Sequence, residues 1–375
     1  MPFFRILRRE GLILMINKNI ASASIAFMVG AVASGSPAWA DHGSMGFGLG
    51  TASPIITDTA VTLPEGKFAV GLRMQYISFK RFSDNYIQSH NEAFHEAGSS
   101  RHTHSTDELL TPALVGAYGI TDDITVGLRF PYVMRTNVRG SMHGGDHEVS
   151  THDFGDINGI GDVTVWGEYR FFHTPDNLTN VAALFAVKAP TGRANRVGKQ
   201  IDGFVGRELL DTHLQPGTGS WDGSLGLAFT QAFGSFSFDS SIVYTWVTEG
   251  AQNTDMGDIF NYNFALSWSP GSGEAAGLQA SSNINPWTFI MEFNGEWRDA
   301  EVRHNWGGSE EVYETSPWTD PDSGSHILYF SPGVRFAPGS NWNVGLSFGA
   351  PIVSDQNGHQ VDPDYRIIGR INMTF

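Results

Sequence analysis

The sequence predicts an all-β protein: a transmembrane antiparallel β-barrel of about 12 strands that follows a cleaved N-terminal signal peptide. Three observations predict this class. Apolar and polar residues alternate along many segments of about ten residues. Short connections between these segments alternate with long ones, and the last segment continues the alternation up to an aromatic carboxy-terminal residue.

The composition excludes several other classes of protein. The chain of 375 residues has a net charge of −16, which argues against nucleic acid as a partner, because phosphates attract basic surfaces. Cysteine is absent, so disulfide scaffolds, thiolate metal sites and cysteine nucleophiles are excluded.

The first forty residues carry the features of an export signal. The apolar run at residues 20–35 is too short and too rich in small residues for a membrane-spanning helix. Basic residues precede it, and Ala38 and Ala40 form the small pair of an A-x-A cleavage site. We therefore expect a signal peptide at residues 1–40, with a buried N-terminal helix as the alternative. Translation could start at Met1 or at Met15.

Residues 41–66 precede the first predicted strand. We expect them either to lie in the periplasm or to fold into the lumen as a small plug. The barrel is then predicted to occupy residues 67–375.

The strands are predicted from a period of two residues. In residues 67–76, for example, Phe68, Val70 and Leu72 share one face, and Arg73 and Gln75 lie on the other. The twelve predicted strands cover residues 67–76, 109–118, 124–132, 162–171, 180–190, 220–231, 237–246, 261–268, 287–297, 326–336, 341–352 and 365–375. No segment after the signal peptide keeps the period of a helix. An even number of strands suits a closed single-chain barrel.

The connections between strands support a membrane barrel, because outer-membrane barrels have short periplasmic turns and long outer loops. The short links are residues 119–123, 173–177, 232–235 and 337–340. The long links are residues 79–108, 135–159, 191–219, 248–257, 298–325 and 353–364. One link, residues 270–286, is long where a short turn is expected.

A soluble β-sandwich would also alternate, since one face of each sheet packs on a core. Two observations favour the membrane barrel. Charged residues lie deep within the polar faces, as in a wet lumen. Tryptophans also fall near strand ends on the apolar face, where interfacial girdles lie: Trp221, Trp246, Trp268, Trp287, Trp297 and Trp342.

The last strand ends in Phe375, with apolar residues or glycine at alternate upstream positions. Lipid would cover its apolar face, and pairing with the first strand would cover its edge. This pattern resembles the carboxy-terminal signature of bacterial outer-membrane barrels. The resemblance implies that Phe375 is an assembly signal read by the barrel assembly machinery, and that the protein lies in the outer membrane of a Gram-negative cell.

Several short motifs resemble those of the meta-pathway phenol degradation family. They are LPEGK (63–67), GITDDITVGLRFPYV (119–133), GIGDVTVWGEYRF (159–171), KAPTG (188–192) and LQPGTGSWD (214–222). The resemblance implies an outer-membrane transporter of small molecules, including aromatic or apolar compounds. By their residue types these motifs serve turns and strands; Gly159 and Gly161, for instance, would let a strand begin in a tight turn.

The polar faces of the predicted strands supply the candidate lumen. We expect the lumen-lining residues to be Arg73, Arg129, Asp162, Glu168, Arg170, Lys188, Asp239, Glu292, Glu296, Arg366 and Arg370. These charges could form an ordered polar pathway for a solute. They could equally pair across strands and stabilise a narrow barrel.

Two predicted outer loops, residues 89–108 and 142–153, are rich in histidine. Imidazole ligands suit zinc, copper or nickel, which makes these loops a candidate divalent-metal site; a solvated polar loop is the alternative. The candidate ligands are His102, His104, His143 and His147. No other cofactor is expected.

The function predicted from these patterns is a channel or transporter for small solutes. The alternative is a non-conducting surface barrel that binds divalent metal through its histidine-rich loops. An enzyme is not expected: the nearest serine–histidine pair in a wall strand is Ser325 and His326, and a nucleophile needs its base within hydrogen-bond reach. The sequence leaves open the solute, the strand register, the oligomeric state and whether the lumen is plugged.

Overall fold

The computed structural model of the chain describes residues 54–96, 103–143, 149–198, 209–270, 285–304, 317–339 and 341–375. The predicted signal peptide, residues 1–40, lies outside these ranges, as does most of the exceptional link 270–286. In the described ranges, no helix has both the length and the apolar character needed to cross a membrane.

The described residues form one α-helix, α1 (Asp84–Glu96), short 3₁₀ turns at Thr212–Leu214 and Ala251–Asn253, and a series of β-strands. The strands are β1 (Phe68–Phe79), β2 (His104–Ser105), β3 (Glu108–Thr121), β4 (Ile124–His143), β5 (Val149–Ile160), β6 (Val163–His173), β7 (Thr179–Ala189), β8 (Asp222–Phe233), β9 (Phe236–Trp246), β10 (Thr254–Asp255), β11 (Ile259–Trp268), β12 (Trp287–Arg298), β13 (Val302–Arg303), β14 (Trp318–Thr319), β15 (Ser325–Phe336), β16 (Trp342–Gln356) and β17 (Pro363–Thr374).

The wall is a closed antiparallel barrel of twelve strands, as predicted. β1 pairs with β17, so the first and last wall strands cover each other's edges. β5 and β6 count as one wall strand, because they pair with successive parts of the long strand β4. The short strands β2, β10, β13 and β14 belong to the long connections and lie outside this count.

The barrel turns its apolar residues outward. Along β1, Phe68 and Met74 are 45% and 43% exposed, whereas Arg73 and Gln75 are buried at 7% and 2%. Apolar residues are exposed around the rest of the wall too, for example Leu346 on β16. An apolar surface of this kind is unfavourable in water and favourable in the hydrocarbon of a bilayer. Because the barrel is closed, its backbone hydrogen bonds are all made within the wall. The barrel is therefore a membrane-spanning one.

Exposed tryptophans mark both rims of the wall, as predicted. Trp268 and Trp287 face the connection between β11 and β12, and Trp342 begins β16 on the same rim. At the opposite rim, Trp246 ends β9 and Trp297 lies one residue before the end of β12. Indole rings at both ends of an apolar band are typical of the two membrane–water interfaces.

The predicted loop 135–159 is wrong over most of its length, because β4 and β5 continue through it as a hairpin. Bulges interrupt the period of two here: the pairing shifts register beside Val138, and Asn137 and Gly155 have φ angles of 52° and 80°. An extra residue at each bulge reverses which face the following residues occupy, so the alternation is lost.

The predicted loop 79–108 also contains structure that the sequence pattern missed, namely the helix α1. Ser83 caps its start, since the N–H of Tyr86 donates to Ser83 Oγ at 3.2 Å. Its buried face carries Ile87 and, one turn later, Asn91, which donates to Ser141 Oγ. Because the polar Asn91 occupies a buried position of the helix, the apolar residues do not recur with the helical period of 3.6, and the sequence pattern does not show the helix.

Candidate solute pathway

The interior of the barrel is lined by charge. Of the predicted lumen residues, eight have relative exposures of 8% or less: Arg73, Arg129, Asp162, Glu168, Asp239, Glu292, Arg366 and Arg370. The remaining three, Arg170, Lys188 and Glu296, are partly buried, with side-chain exposures of 11%, 12% and 14%.

Buried arginines and buried carboxylates lie mainly on different arcs of the wall, although Lys188 on β7 and Arg298 on β12 add positive charge to the acidic arc. Arginines occupy the arc from β15 through β17 and β1 to β4, where Arg73 stands directly opposite Arg370 in the ladder. Buried carboxylates occupy the other arc, from β6 to β12: Glu168, Asp239 and Glu292. Simple pairing between neighbouring strands does not produce this arrangement. It creates a field across the lumen, from a basic side to an acidic side.

Residues 54–63 lie between the two arcs. The Glu292 carboxylate on the acidic side accepts the N–H groups of Ile55 (2.6 Å) and Ile56 (3.0 Å). Arg370 on the basic side donates to the carbonyl oxygens of Pro54 and Ile55, the latter at 3.2 Å. The backbone of this segment thus directs its amides toward the carboxylate arc and its carbonyls toward the arginine arc, in line with the field.

The same segment continues along the inner wall with one hydrogen bond to each of two further strands. The N–H of Ala60 donates to Thr230 Oγ1 (2.9 Å), which itself donates to Asp239 (2.6 Å). The N–H of Leu63 donates to Thr125 Oγ1 at 2.8 Å. The apolar residues of the segment pack in two places: Ile55 and Ile56 with Ile290 and Ile368, and Ala60 and Leu63 in the cluster around Trp166. The segment occupies the half of the lumen nearest the short turns.

A cavity of about 110 Å³ lies in the other half of the lumen. Part of its wall is apolar, from Leu109, Pro131 and Val133 on one side and Val247 and Met256 on another. Charged residues also line it: Arg129, Arg135, Asp162, Lys188, Asp222, Glu296 and Arg298. Cavities of roughly 150 Å³ accommodate benzene, so this volume suits one small molecule rather than a large solute.

The third long loop, residues 190–221, forms part of this cavity and is tied to the wall by a set of residues that we call the loop anchor: Asp162, Lys188, Thr218 and Asp222. Asp162 accepts the N–H groups of Gly192 and Thr218, each at 2.9 Å. Lys188 Nζ lies 3.3 Å from Asp162 and 2.6 Å from Asp222. Two of the predicted lumen residues therefore hold a loop in place.

The loop anchor gives a structural role to several of the glycine-containing sequence motifs. A Cβ atom added to Gly217 would lie 2.7 Å from the Cα of Gly192, so the two glycines permit a close backbone contact. The role expected for Gly161 is wrong: it joins β5 to β6 within one wall strand, and an added Cβ would meet Pro131 at 3.1 Å. Residues from motifs 159–171, 188–192 and 214–222 thus converge at one place.

Arg170 lies apart from the other lumen charges, at the rim with the short turns. Its Nε donates to Asp123 at 2.9 Å, and its guanidinium also donates to the carbonyl of Asp122 at 3.0 Å. It braces the turn between β3 and β4. At the same rim, Phe375 exchanges backbone hydrogen bonds with Phe68, at 2.8 and 3.3 Å, and its exposed ring stacks on that of Phe68.

The histidine-rich loops are only partly described. His102 and His147 lie outside the described residues, as does the side chain of His143. His104 is buried, and its Nδ1 lies 4.0 Å from Asp211 Oδ2. Its histidine neighbour is His213, with ring centroids 5.5 Å apart. Sequence reasoning missed His213 because more than a hundred residues separate it from His104, and no local spacing links them.

Comparison with known proteins identifies the family. The model of the family "MetA-pathway of phenol degradation" matches residues 81–284, more than half of the chain. The chain belongs to this family. No curated protein matches this family member.

One solved structure supports the fold. An outer-membrane channel from Pseudomonas putida F1 is 14% identical over 84% of this family member and 98% of that chain, with a TM-score of 0.54. The toluene transporter TodX of Pseudomonas putida is 10% identical over 87% and 98% of the two chains, but its TM-score is 0.42. The first similarity shows the same fold. The second is too low to add to the argument.

Proposed function

We propose that the protein is a channel of the bacterial outer membrane for small neutral or apolar solutes, and that residues 54–63 are its plug. One observation carries this proposal: the closed wall contains a cavity on one side of a segment that contributes no strand to the wall. Because β1 pairs with β17 and β3 without help from residues 54–63, the barrel can persist when the segment leaves.

The contacts of the plug favour its reversible release. They include hydrogen bonds from backbone N–H groups to Glu292, Thr230 and Thr125 and from Arg370 to backbone carbonyls. Water can replace the bonds to the neutral threonines at a small net cost, and Glu292 and Arg370 supply the stronger contacts. The apolar contacts of the plug come from four side chains: Ile55 and Ile56 pack near Ile290 and Ile368, and Ala60 and Leu63 lie in the cluster around Trp166.

The proposed solute class rests on the cavity and on the family. The apolar patches around Pro131 and Met256 suit a small apolar or aromatic molecule. A family described by phenol degradation supports aromatic compounds among the solutes. Ions would meet charges of both signs across the lumen, so we expect weak ion selectivity and small conductance.

Planar-bilayer recording of the refolded protein tests the channel. We expect small, infrequent openings in the full mature chain and a steadier conductance when residues 41–62 are deleted. Liposome swelling with phenol as the solute, compared with a charged benzoate, tests the solute class. Silence of both forms in the bilayer, together with no phenol entry, would exclude the channel and favour the alternative of a non-conducting barrel that binds metal.

We also infer that the wall carries no hydrolase site at Ser325. The ring of its neighbour His326 is engaged elsewhere, with Nε2 lying 2.7 Å from the Tyr262 hydroxyl. Lipase activity of the purified protein that disappears in Ser325→Ala would contradict this inference.

A further inference from the structure

Three segments that are distant in sequence meet above the wall at the end with the long loops. His104 lies in β2 of the first long loop, residues 80–107, and pairs with Gly140 of β4. Asp211 and His213 belong to the third long loop, at the 3₁₀ turn Thr212–Leu214. Glu301 belongs to the fifth long loop, residues 299–324, and its Oε2 lies 3.8 Å from His213 Nδ1.

The donor atoms have the spacing of a site that needs only slight contraction around an ion. One ligand atom each from His104, Asp211 and His213 lie within 4.8 Å of one another. A tetrahedral zinc ion, with bonds of about 2.0–2.1 Å to nitrogen and oxygen, places its ligand atoms roughly 3.4 Å apart. Shifts of about 1 Å or less in each side chain would close the site.

The surroundings hold these ligands in place. The N–H of Leu214 donates to the carbonyl of Asp211 at 2.9 Å and closes the turn, while Arg135 donates to the carbonyl of His213 at 3.0 Å. On the other side, an added Cβ at Gly140 would lie 2.7 Å from the ring of His104, so a glycine there is what lets the imidazole pack. Backbone contacts of this kind orient ligands before an ion arrives.

Both imidazoles are buried. The neutral ring is the form that binds a metal ion. The electrostatic surroundings also favour a cation. Arg303 lies 3.6 Å from Asp211, 3.4 Å from Glu301 and 3.9 Å from Asp320.

Three carboxylates thus surround one guanidinium, and the nearby Arg135 adds the second positive charge of the cluster. Glu301 is buried, and burial away from water makes a negative charge on its carboxylate costly. A divalent ion beside Asp211 and Glu301 would offset that cost.

We propose that His104, Asp211 and His213 bind one divalent transition-metal ion, with Glu301 positioned as a fourth ligand. Two imidazoles with carboxylates suit zinc, and also copper or nickel. The ion would join the first, third and fifth long loops above the cavity and hold them in one arrangement. This site goes beyond the proposed channel and does not depend on whether the barrel conducts.

The ligand set is also distinct from the four histidines that the sequence suggested, with which it shares only His104. That difference supplies the control. Removing His102 and His147 together should leave the site intact, whereas removing His213 should abolish it.

The test uses the refolded mature chain, treated with a chelator, dialysed and titrated with zinc by calorimetry. We expect one site that loses at least tenfold in affinity in His104→Ala, in Asp211→Asn and in His213→Ala. The double variant His102→Ala/His147→Ala and the rim variant His173→Ala should bind as the unaltered protein does. Cobalt(II) offers a second readout, because tetrahedral coordination by nitrogen and oxygen gives a characteristic visible spectrum.

A variant that fails to fold is recognised by its loss of the compact, heat-modifiable band of a folded barrel in gel electrophoresis. Asp211→Asn preserves the size and shape of the side chain, so it separates loss of a ligand from loss of packing. Zinc should also slow protease cleavage of the third long loop in the unaltered protein and not in Asp211→Asn. Zinc affinity in Asp211→Asn and His213→Ala as high as in the unaltered protein, or loss of binding only in His102→Ala/His147→Ala, would overturn the proposal.

Discussion

Glu292 Oε1 lies 2.6 Å from the backbone nitrogen of Ile55, and the same carboxylate accepts the N–H of Ile56. The acceptor belongs to the wall strand β12, while the donors belong to a segment 236 and 237 residues earlier in the chain. One wall carboxylate therefore holds the end of the proposed plug, opposite Arg370 on the facing arc.

Replacing this carboxylate should release the plug. Hydrogen bonds to a charged acceptor contribute about 1.5–3 kcal/mol each, so Glu292→Ala should open more often than the unaltered protein in bilayer recordings, and Glu292→Gln should be intermediate. Glu249→Gln, at an exposed position in a long connection, is the control. If Glu292→Ala conducts no more than the unaltered protein while deletion of residues 41–62 does open the channel, Glu292 does not hold the plug.

Removing the buried acid of the loop anchor should free the third long loop. Asp162→Ala takes away the acceptor of two backbone N–H groups and one partner of Lys188. Breaking such a buried pair costs about 3 kcal/mol or more, so cleavage of residues 190–221 by a protease should accelerate and thermal unfolding should begin earlier.

Asp299→Ala, an exposed acid in another long connection, should change neither cleavage nor thermal unfolding. Equal protease resistance of Asp162→Ala and the unaltered protein would mean that the loop is held by other contacts.

The orientation of the barrel can be tested on intact cells. We expect an added protease to cut the long connections at residues 80–107 and 299–324 and to spare the tight turn between β3 and β4, at Asp122 and Asp123. This follows from the outer-membrane pattern of short periplasmic turns. Cleavage at that turn, with the long connections intact, would reverse the orientation.

Phe375 should matter more for assembly than for stability. Its ring is 61% exposed, so Phe375→Ser should lose little free energy of unfolding in the refolded barrel. In cells the same change should reduce the amount of folded protein in the outer membrane if the assembly machinery reads this residue. Phe233→Ser, an exposed aromatic at the same rim, should not. Equal membrane levels of the two variants would argue against an assembly signal.

The sequence by itself determined the wall. Alternation along segments such as residues 67–76 predicts both the strands and their outward apolar face. The period of two depends only on residues adjacent in the sequence, so it can be recognised without knowing which strands pair. The rim tryptophans and the closing strand at Phe375 follow from the same local pattern.

Tertiary structure alone decided which side chains meet inside. Asp162 reaches Thr218, Glu292 reaches Ile55, and His104 reaches Asp211 across separations of 56 to 237 residues. Such contacts depend on register and on bulges, and a shift of one residue would turn each inward side chain toward the lipid. Alternation reports which face a residue occupies but carries no information on its height in the barrel or on its neighbour across the lumen.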